Sequence, residues 1–214
     1  MLKKFLRHEK GITGLETAII LIAFVVVAAV FAYTALSAGL FATQKSQEAV
    51  YSGLREAQST LELKGSVIAT GNESSATGSI KQVTFTVANV LGGEAVDFTP
   101  PDADNLTGKA LAGSPNKVVI NYIDQYQKVN DLYWTVTKLG NDNSNYLLET
   151  NEKFQVTIGS TNSTISGAGN LVNALGTALT VNKTFTLQVV TPAGAVLTIE
   201  RTTPAYINTI MDLR

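Results

Sequence analysis

Residues 1–41 read MLKKFLRHEK GITGLETAII LIAFVVVAAV FAYTALSAGL F, and this stretch decides the architecture of the chain. Four basic residues, Lys3, Lys4, Arg7 and Lys10, precede an apolar run, Thr17–Phe41, that carries no charge. An ordinary secretory signal has an apolar region of about 7–15 residues, whereas about 20 residues span a bilayer. Because basic residues stay on the cytoplasmic side, the sequence predicts an N-terminal membrane anchor that carries an exported body.

The residues around Gly11 add a second feature. A basic leader ends in Gly11, and the sequence Ile12-Thr-Gly-Leu-Glu16 then opens an unbroken apolar helix. This arrangement resembles the class III signal of type IV pilins and archaellins, and Ile12–Glu48 is similar to the start of an archaellin, the subunit of the archaeal swimming filament. The resemblance implies that a prepilin-type signal peptidase cuts between Gly11 and Ile12. It also implies that the apolar helix is retained as the polymerisation element.

Composition constrains the part of the chain beyond the anchor. The 214 residues suit one anchor and one moderate domain. Net charge is −1 with no long basic run beyond the leader, which argues against a nucleic-acid partner, since backbone binding needs a concentrated Lys/Arg face. No cysteine is present, so the fold has no disulfide. We expect a cleaved leader at 1–11, a long helix at 12–64 and an outer β-domain at 65–214.

Hydrophobic periodicity divides the mature chain into a helix and a β-domain. Apolar residues recur at Val50, Leu54, Ala57 and Leu61, which predicts one helix from about Gly14 to about Leu63, closed by Lys64 and a Gly65 C-cap. Alternation with period 2 then predicts seven or eight strands, including those around 83–87, 118–122, 132–137, 154–158, 185–189 and 195–199. The predicted fold class is α+β, a long N-terminal hydrophobic helix followed by an antiparallel immunoglobulin-like β-sandwich. Irregular stretches at 92–115, 141–145 and 160–173 are placed on the outer surface.

Glu16 is the charged residue that directly precedes the apolar run. No other Asp, Glu, Lys, Arg or His lies between Lys10 and Lys45, and an unpaired carboxylate in a dry apolar setting costs several kcal/mol. Cleavage would create an α-amine on Ile12, and the pilin resemblance implies that Glu16 neutralises that amine on a neighbouring subunit. Alternatively, Glu16 only complements the positive end of the helix dipole.

Two further sets of residues are candidates for assembly and modification. Gly14, Gly39 and several alanines leave small patches on the helix, where backbones can approach closely. Four Asn-x-Ser/Thr sequons begin at Asn72, Asn105, Asn162 and Asn182. Three of these lie in predicted loops, while Asn182 abuts a strand, and archaellin resemblance implies N-glycosylation at one site or more.

The sequence points away from catalysis and from cofactors. The one histidine, His8, lies in the leader, so the mature chain would have neither His nor Cys for nucleophilic pairs or typical zinc sites. The segment 141–145, Asn-Asp-Asn-Ser-Asn, lacks the spacing, glycine and closing glutamate of a calcium loop and is interpreted as a solvated turn. We expect no enzyme activity, no catalytic residue, no cofactor and no metal.

The sequence-based hypothesis is therefore an archaellin that self-assembles into an extracellular filament for swimming. Its expected partners are further copies of itself, with paralogous archaellins as possible neighbours, the signal peptidase and a membrane assembly and motor complex. The membrane holds the chain before assembly, and no nucleic acid is expected. The sequence leaves two alternatives open: an archaeal adhesive type IV pilin, and a membrane-anchored surface ectodomain.

Overall fold

A computed structural model describes residues 6–58, 61–90, 93–104, 107–140, 143–159 and 170–213 of the chain. The chain divides into two compact units, Met1–Ser52 and Gly53–Arg214.

The first element is helix α1, Leu6–Gln58, which is 53 residues long. It begins within the leader, earlier than the predicted Gly14, and its backbone is helical through Gly11 and Ile12. It also ends earlier than the predicted Leu63, so the expected helical segment 12–64 overruns the observed helix.

The predicted helix end at Leu63 is wrong because Leu61 and Leu63 belong to a strand. Leu61 is 5% exposed and pairs with Asn89, and Leu63 pairs with Val87. Leu61-Glu62-Leu63-Lys64 satisfies the strand alternation as well as the helical spacing, and sheet pairing decides between them. Gly65 is not a helix C-cap: its φ is +77° and it lies in a break in strand register between Lys64 and Ile68.

The β-domain contains eleven strands and one short helix within the described ranges. In chain order these are β1 Leu61–Gly71, β2 Ile80–Asn89, β3 Val96–Asp97, β4 Val119–Asp124, β5 Lys128–Val129, β6 Trp134–Leu139, β7 Leu147–Leu148, β8 Lys153–Ile158, α2 Leu171–Ala174, β9 Thr184–Val190, β10 Val196–Thr202 and β11 Ile210–Leu213. Three of the strands have only two residues. The other eight match the predicted number, although β1 and β11 were not among the predicted runs.

The strands form two main antiparallel sheets around one core. The larger sheet has the order β11-β1-β2-β8-β6, the smaller has the order β10-β9-β4-β5, and β3 pairs with β7. One hydrophobic cluster joins the inward faces of both sheets. At its centre Trp134 is fully buried, and the ring of Phe98 meets those of Trp134 and Phe154 edge-on at 5.9 and 6.0 Å. The predicted α+β class with an antiparallel β-sandwich is confirmed.

The prediction that the irregular stretches lie on the surface holds only in part. Residues 143–145 are exposed, as expected. However, Val96 and Phe98, within the stretch 92–115, are buried, and so is Leu171 at the start of α2. These apolar residues carry no periodic signal because Val96 and Leu171 sit in elements of two and four residues and Phe98 directly follows β3, yet they fill the core.

The C-terminal segment holds the β1–β2 hairpin. Ile207 is fully buried and its N–H donates to the Ser75 carbonyl at 3.1 Å, while Gly71 N–H donates to the Thr209 carbonyl at 3.1 Å. A Cβ added to Gly71 would lie 2.5 Å from the Asn208 carbonyl oxygen, so only glycine allows this approach. β11 then pairs with β1 and completes the larger sheet.

Asp124 organises the turn between β4 and β5. Its Oδ1 accepts the N–H groups of Tyr126 at 2.6 Å and Gln127 at 2.9 Å, and its Oδ2 accepts the Tyr122 hydroxyl at 2.8 Å and the Gln127 amide at 3.1 Å. Burial alone would raise the pKa of the Asp124 carboxyl, but these hydrogen bonds outweigh it and hold the pKa below its ordinary value. Burial, with the Asp124 carboxylate beside it, raises the pKa of the Tyr122 phenol well above its usual range.

Candidate assembly interface

Helix α1 presents apolar side chains to its surroundings on every side. All described side chains from Gly14 to Leu54 are exposed, and this 41-residue segment is long and apolar enough to cross a membrane. A surface helix of a globular protein has one apolar stripe, whereas a helix that is apolar all round is normally covered by protein or lipid. This helix therefore requires cover from outside its own unit.

The uncharged part of α1 is longer than a bilayer requires. Residues 17–44 contain no Asp, Glu, Lys or Arg, and at 1.5 Å per residue they extend about 42 Å, against about 30 Å for the hydrocarbon core. Charge returns with Lys45, whose Nζ lies 2.6 Å from Glu48 Oε2 in an exposed ion pair. The apolar segment can thus serve both as a membrane span and as a packing surface.

Three threonines in this segment satisfy their hydroxyls within the helix. Thr17, Thr34 and Thr43 each donate to the carbonyl three residues earlier, at 3.0, 2.9 and 2.8 Å. A hydroxyl without a partner is costly in an apolar medium, and a bond back to the helix carbonyl removes that cost. These residues are therefore compatible with either lipid or a dry helix bundle.

The small residues of α1 form a continuous stripe rather than separate patches. Eight positions follow the alternating 4-and-3 spacing of a heptad seam, and every one is small: Ala28, Ala32, Ala35, Gly39, Ala42, Ser46, Ala49 and Gly53. A Cβ added at Gly39 or Gly53 would meet nothing within 4 Å. Small residues at this spacing allow a neighbouring helix to approach closely. The 4-and-3 spacing is the sequence signal that identifies the stripe.

The predicted cleavage and assembly residues lie at the start of α1. Gly11 and Ile12 fall within the helical backbone, and their side chains lie outside the described part of the structure. Glu16 is exposed on the first described turn. The structure therefore places Glu16 one helical turn from the Ile12 backbone, and the roles of these residues remain predictions.

Two of the four sequons can be located. Asn72 is exposed at the end of β1, where its N–H donates to the Ser79 carbonyl at 2.8 Å. Asn182 is exposed in the turn before β9, with φ +53°. Asn105 and Asn162 lie outside the described residues. Both located asparagines have the exposure that glycan attachment requires, and their modification remains a prediction.

The turn near residue 143 uses its side-chain oxygens internally. Asn143 Oδ1 accepts the Asn145 N–H at 3.1 Å, and Asn145 Oδ1 accepts the Leu147 N–H at 2.7 Å. These are Asx-turn bonds, as expected of a solvated turn. In the described ranges, no group of three or more His, Cys, Asp or Glu residues is arranged to hold a metal ion.

Sequence comparison relates the chain to archaeal filament proteins. The model of the family described as archaeal-type flagellin matches residues 11–201. A protein named probable flagellin 1 from Archaeoglobus fulgidus is 39% identical over 220 residues, which cover 98% of each chain. The matched family region begins at the predicted leader boundary.

Structural comparison gives the same relationship. The chain resembles the archaeal flagellum of Methanospirillum hungatei, with a TM-score of 0.59 and 30% identity over 94% of this chain and 98% of that chain. A crystal structure of an archaeal flagellin from Methanocaldococcus jannaschii shares the fold, with a TM-score of 0.51 and 13% identity over 72% of this chain and 95% of that one.

Proposed function

The chain belongs to the archaeal-type flagellin family, and from that premise we propose how it is processed, held and assembled. It is a structural subunit of the archaellum that assembles with further copies into an extracellular filament. Its role is mechanical, which makes an enzymatic activity unexpected.

The observation that carries the assembly proposal is the exposure of α1 on every side. Before assembly, lipid covers the uncharged segment; in the filament, neighbouring α1 helices replace lipid and the β-domain faces solvent. Lipid tails are as apolar as the side chains they cover, so this exchange gains little from the hydrophobic effect. Close packing must supply the difference, and the small-residue stripe permits it. Purified surface filaments that lack this chain would contradict the proposal.

Processing precedes assembly in this account. A prepilin-type signal peptidase removes residues 1–11 and exposes the Ile12 amine. Replacement of Gly11 by valine should block cleavage, because the peptidase of this family needs a small residue there. Precursor should then accumulate in the membrane without filaments, as a shift in subunit mass would show, while Gly53→Val outside the leader should be cleaved normally.

Glu16 supplies the counter-charge for the Ile12 amine of a neighbouring subunit. Glu16→Ala should leave cleavage intact but impair assembly, because the amine would then be unpaired in apolar surroundings. Glu16→Gln separates charge from hydrogen bonding. If assembly requires the charge, this variant should assemble as poorly as Glu16→Ala; if a hydrogen bond suffices, its assembly defect should be mild. Filaments of normal length and abundance from Glu16→Ala cells would show that Glu16 only complements the positive end of the helix dipole.

A membrane assembly and motor complex inserts the subunits and turns the filament, and N-glycans are attached at exposed sequons such as Asn72. Family membership favours this swimming filament over an adhesive pilus. Deletion of the gene for this chain distinguishes the two kinds of filament in cells. Loss of swimming with surface attachment retained supports the archaellum, and loss of attachment with swimming retained supports the pilus. A membrane-anchored ectodomain would instead give uncut monomers in detergent.

A further inference from the structure

Four uncharged polar side chains lie along one line of α1, within its uncharged segment and in the two turns that follow it. They are Tyr33, Ser37, Gln44 and Tyr51, at spacings of 4, 7 and 7 residues. At 3.6 residues per turn these positions fall within an arc of about 40°. We call this line the polar ridge. Its spacing is that of a heptad seam, which is the spacing of a helix–helix contact.

In the described part of α1, the threonine hydroxyls are hydrogen-bonded to carbonyls of their own helix, whereas the polar groups of the ridge side chains are not. Thr34 donates to the Phe31 carbonyl at 2.9 Å, whereas the side chains of the ridge make no hydrogen bond to any residue that the structure describes, and Tyr33 is 74% exposed. A hydroxyl or amide in lipid or in a dry bundle is costly without a partner. The ridge therefore needs acceptors or donors from outside α1.

The face opposite the ridge has the complementary shape. The small-residue stripe, Ala28 to Gly53, is centred about 180° around the helix from the ridge at 100° per residue. The tyrosines and the glutamine of one face fit against the small side chains of the other, large into small, so the two faces can pack head to tail. A head-to-tail contact between two different patches repeats from subunit to subunit and builds an open helical polymer when its rotation does not close into a ring, whereas a contact between identical patches closes a dimer.

We propose that the polar ridge of one subunit packs against the small-residue stripe of the next subunit's α1. There the Tyr33 and Tyr51 hydroxyls and the Gln44 amide hydrogen-bond to backbone carbonyls that small side chains leave within reach. The occupant of each face is a second copy of this chain, so the inference rests on the proposed assembly through α1. It specifies which faces meet and makes the contact directional.

Cysteine pairing tests which faces meet, because the natural chain contains no cysteine. Ser37→Cys is combined in turn with a cysteine at each of the eight stripe positions, and filaments are oxidised on cells. Because the stripe is about 37 Å long, the eight pairs sample axial offsets between neighbouring helices over that range. A disulfide requires Cα atoms within about 7 Å. We expect a ladder of dimers, trimers and longer species from one or two adjacent double variants. Each single variant should stay monomeric, as should the ridge-only pair Ser37→Cys/Gln44→Cys.

The outcomes separate this inference from the function on which it rests. Dimers from Ser37→Cys alone would show ridge meeting ridge and overturn the proposal. Normal filaments with no ladder from any of the eight pairs would overturn it as well, while leaving assembly intact. Absence of filaments from the unaltered, cysteine-free chain would instead remove the proposed function.

A second readout tests the hydrogen bonds. Tyr33→Phe keeps the ring and removes one hydroxyl, whereas the control Thr34→Val removes a hydroxyl that is already satisfied within the helix. We expect Tyr33→Phe to raise the amount of unassembled subunit at equilibrium about 3- to 18-fold, equivalent to about 0.6–1.7 kcal/mol for one interhelical hydrogen bond. The control should change it less than twofold. Equal effects of the two variants would contradict a specific role for the ridge.

Discussion

Enlarging Gly39 should leave the isolated subunit intact and damage the filament. In the subunit, a Cβ at Gly39 would meet nothing within 4 Å, so Gly39→Leu introduces no clash. It also replaces a poor helix former by a good one, a gain of about 0.8 kcal/mol in helix propensity. Any loss must therefore arise where a second helix covers the stripe.

The size of that loss can be worked out from overpacking. A side chain forced into a close contact costs about 1–3 kcal/mol, which corresponds to a rise of about 5- to 150-fold in unassembled subunit. The series Gly39→Ala, Gly39→Val and Gly39→Leu should show graded loss, with alanine near the natural chain. Sedimentation of filaments from equal amounts of processed subunit measures it, and circular dichroism of the detergent-solubilised chain verifies the helix. Filaments from Gly39→Leu as stable as those from Gly39→Ala would refute the reasoning.

Three further predictions concern the β-domain. Gly71→Ala should destabilise it by about 1–3 kcal/mol and lower its Tm by about 2–12 °C, because the added Cβ would lie 2.5 Å from the Asn208 carbonyl oxygen. The control is Gly176→Ala, whose Cβ would lie 3.6 Å from Gln127 Oε1 and which should match the natural chain in thermal unfolding. Asp124→Asn should cost about 1–3 kcal/mol at neutral pH through weakened charged hydrogen bonds. Because the pKa of Asp124 is lowered in the folded chain, its contribution to stability is present above the unfolded pKa of about 3.9 and is lost as pH falls through the folded pKa. Denaturant titrations at pH 7 and pH 3 should show the free energies of unfolding of Asp124→Asn and the natural chain converging in acid. A difference that stays constant with pH would contradict this. Asn72→Gln should reduce subunit mass by one glycan without loss of the fold, as mass spectrometry of purified filaments would reveal, and an unchanged mass would mean that this sequon is unmodified.

The sequence predicted those parts of the fold whose periodicity has one interpretation. Strands such as β2 and β9 alternate valine, phenylalanine and leucine with polar residues and were placed within a few residues of their observed bounds. The membrane-length helix was equally clear, because no soluble element needs an uncharged run of that length. Periodicity is reliable there because burial on one face, or on every face, leaves no competing pattern.

The parts of the fold that the sequence did not predict are those whose residues fit two periodic patterns or none. Leu61 fits the helix stripe and the β1 alternation alike, and only its pairing with Asn89 decides between them. Val96 and Phe98 enter the core from a stretch too short for any period to show. Glycines were ambiguous for the same reason: Gly65 resembles a helix cap, but its positive φ accommodates a break in strand register.

The candidate site was predictable in kind but not in detail. The leader boundary at Gly11 and the lone carboxylate of Glu16 could be found in the sequence, since each is a local signal. The small-residue stripe and the polar ridge are recognised only when residues are placed around a helix. The hydrogen bonds from the hydroxyls of Thr34 and the two other threonines to helix carbonyls are seen only in the coordinates. Which hydroxyls still need a partner is therefore a result of the structure.

The most direct measurement of the central claim is the N-terminal peptide of the chain recovered from purified surface filaments. Mass spectrometry should find that the peptide begins at Ile12 and that the apolar segment to Phe41 is intact, because the account requires the leader to be removed and the helix to be kept as the assembly element. A filament chain that begins at Met1, or one that begins beyond Phe41, would contradict it.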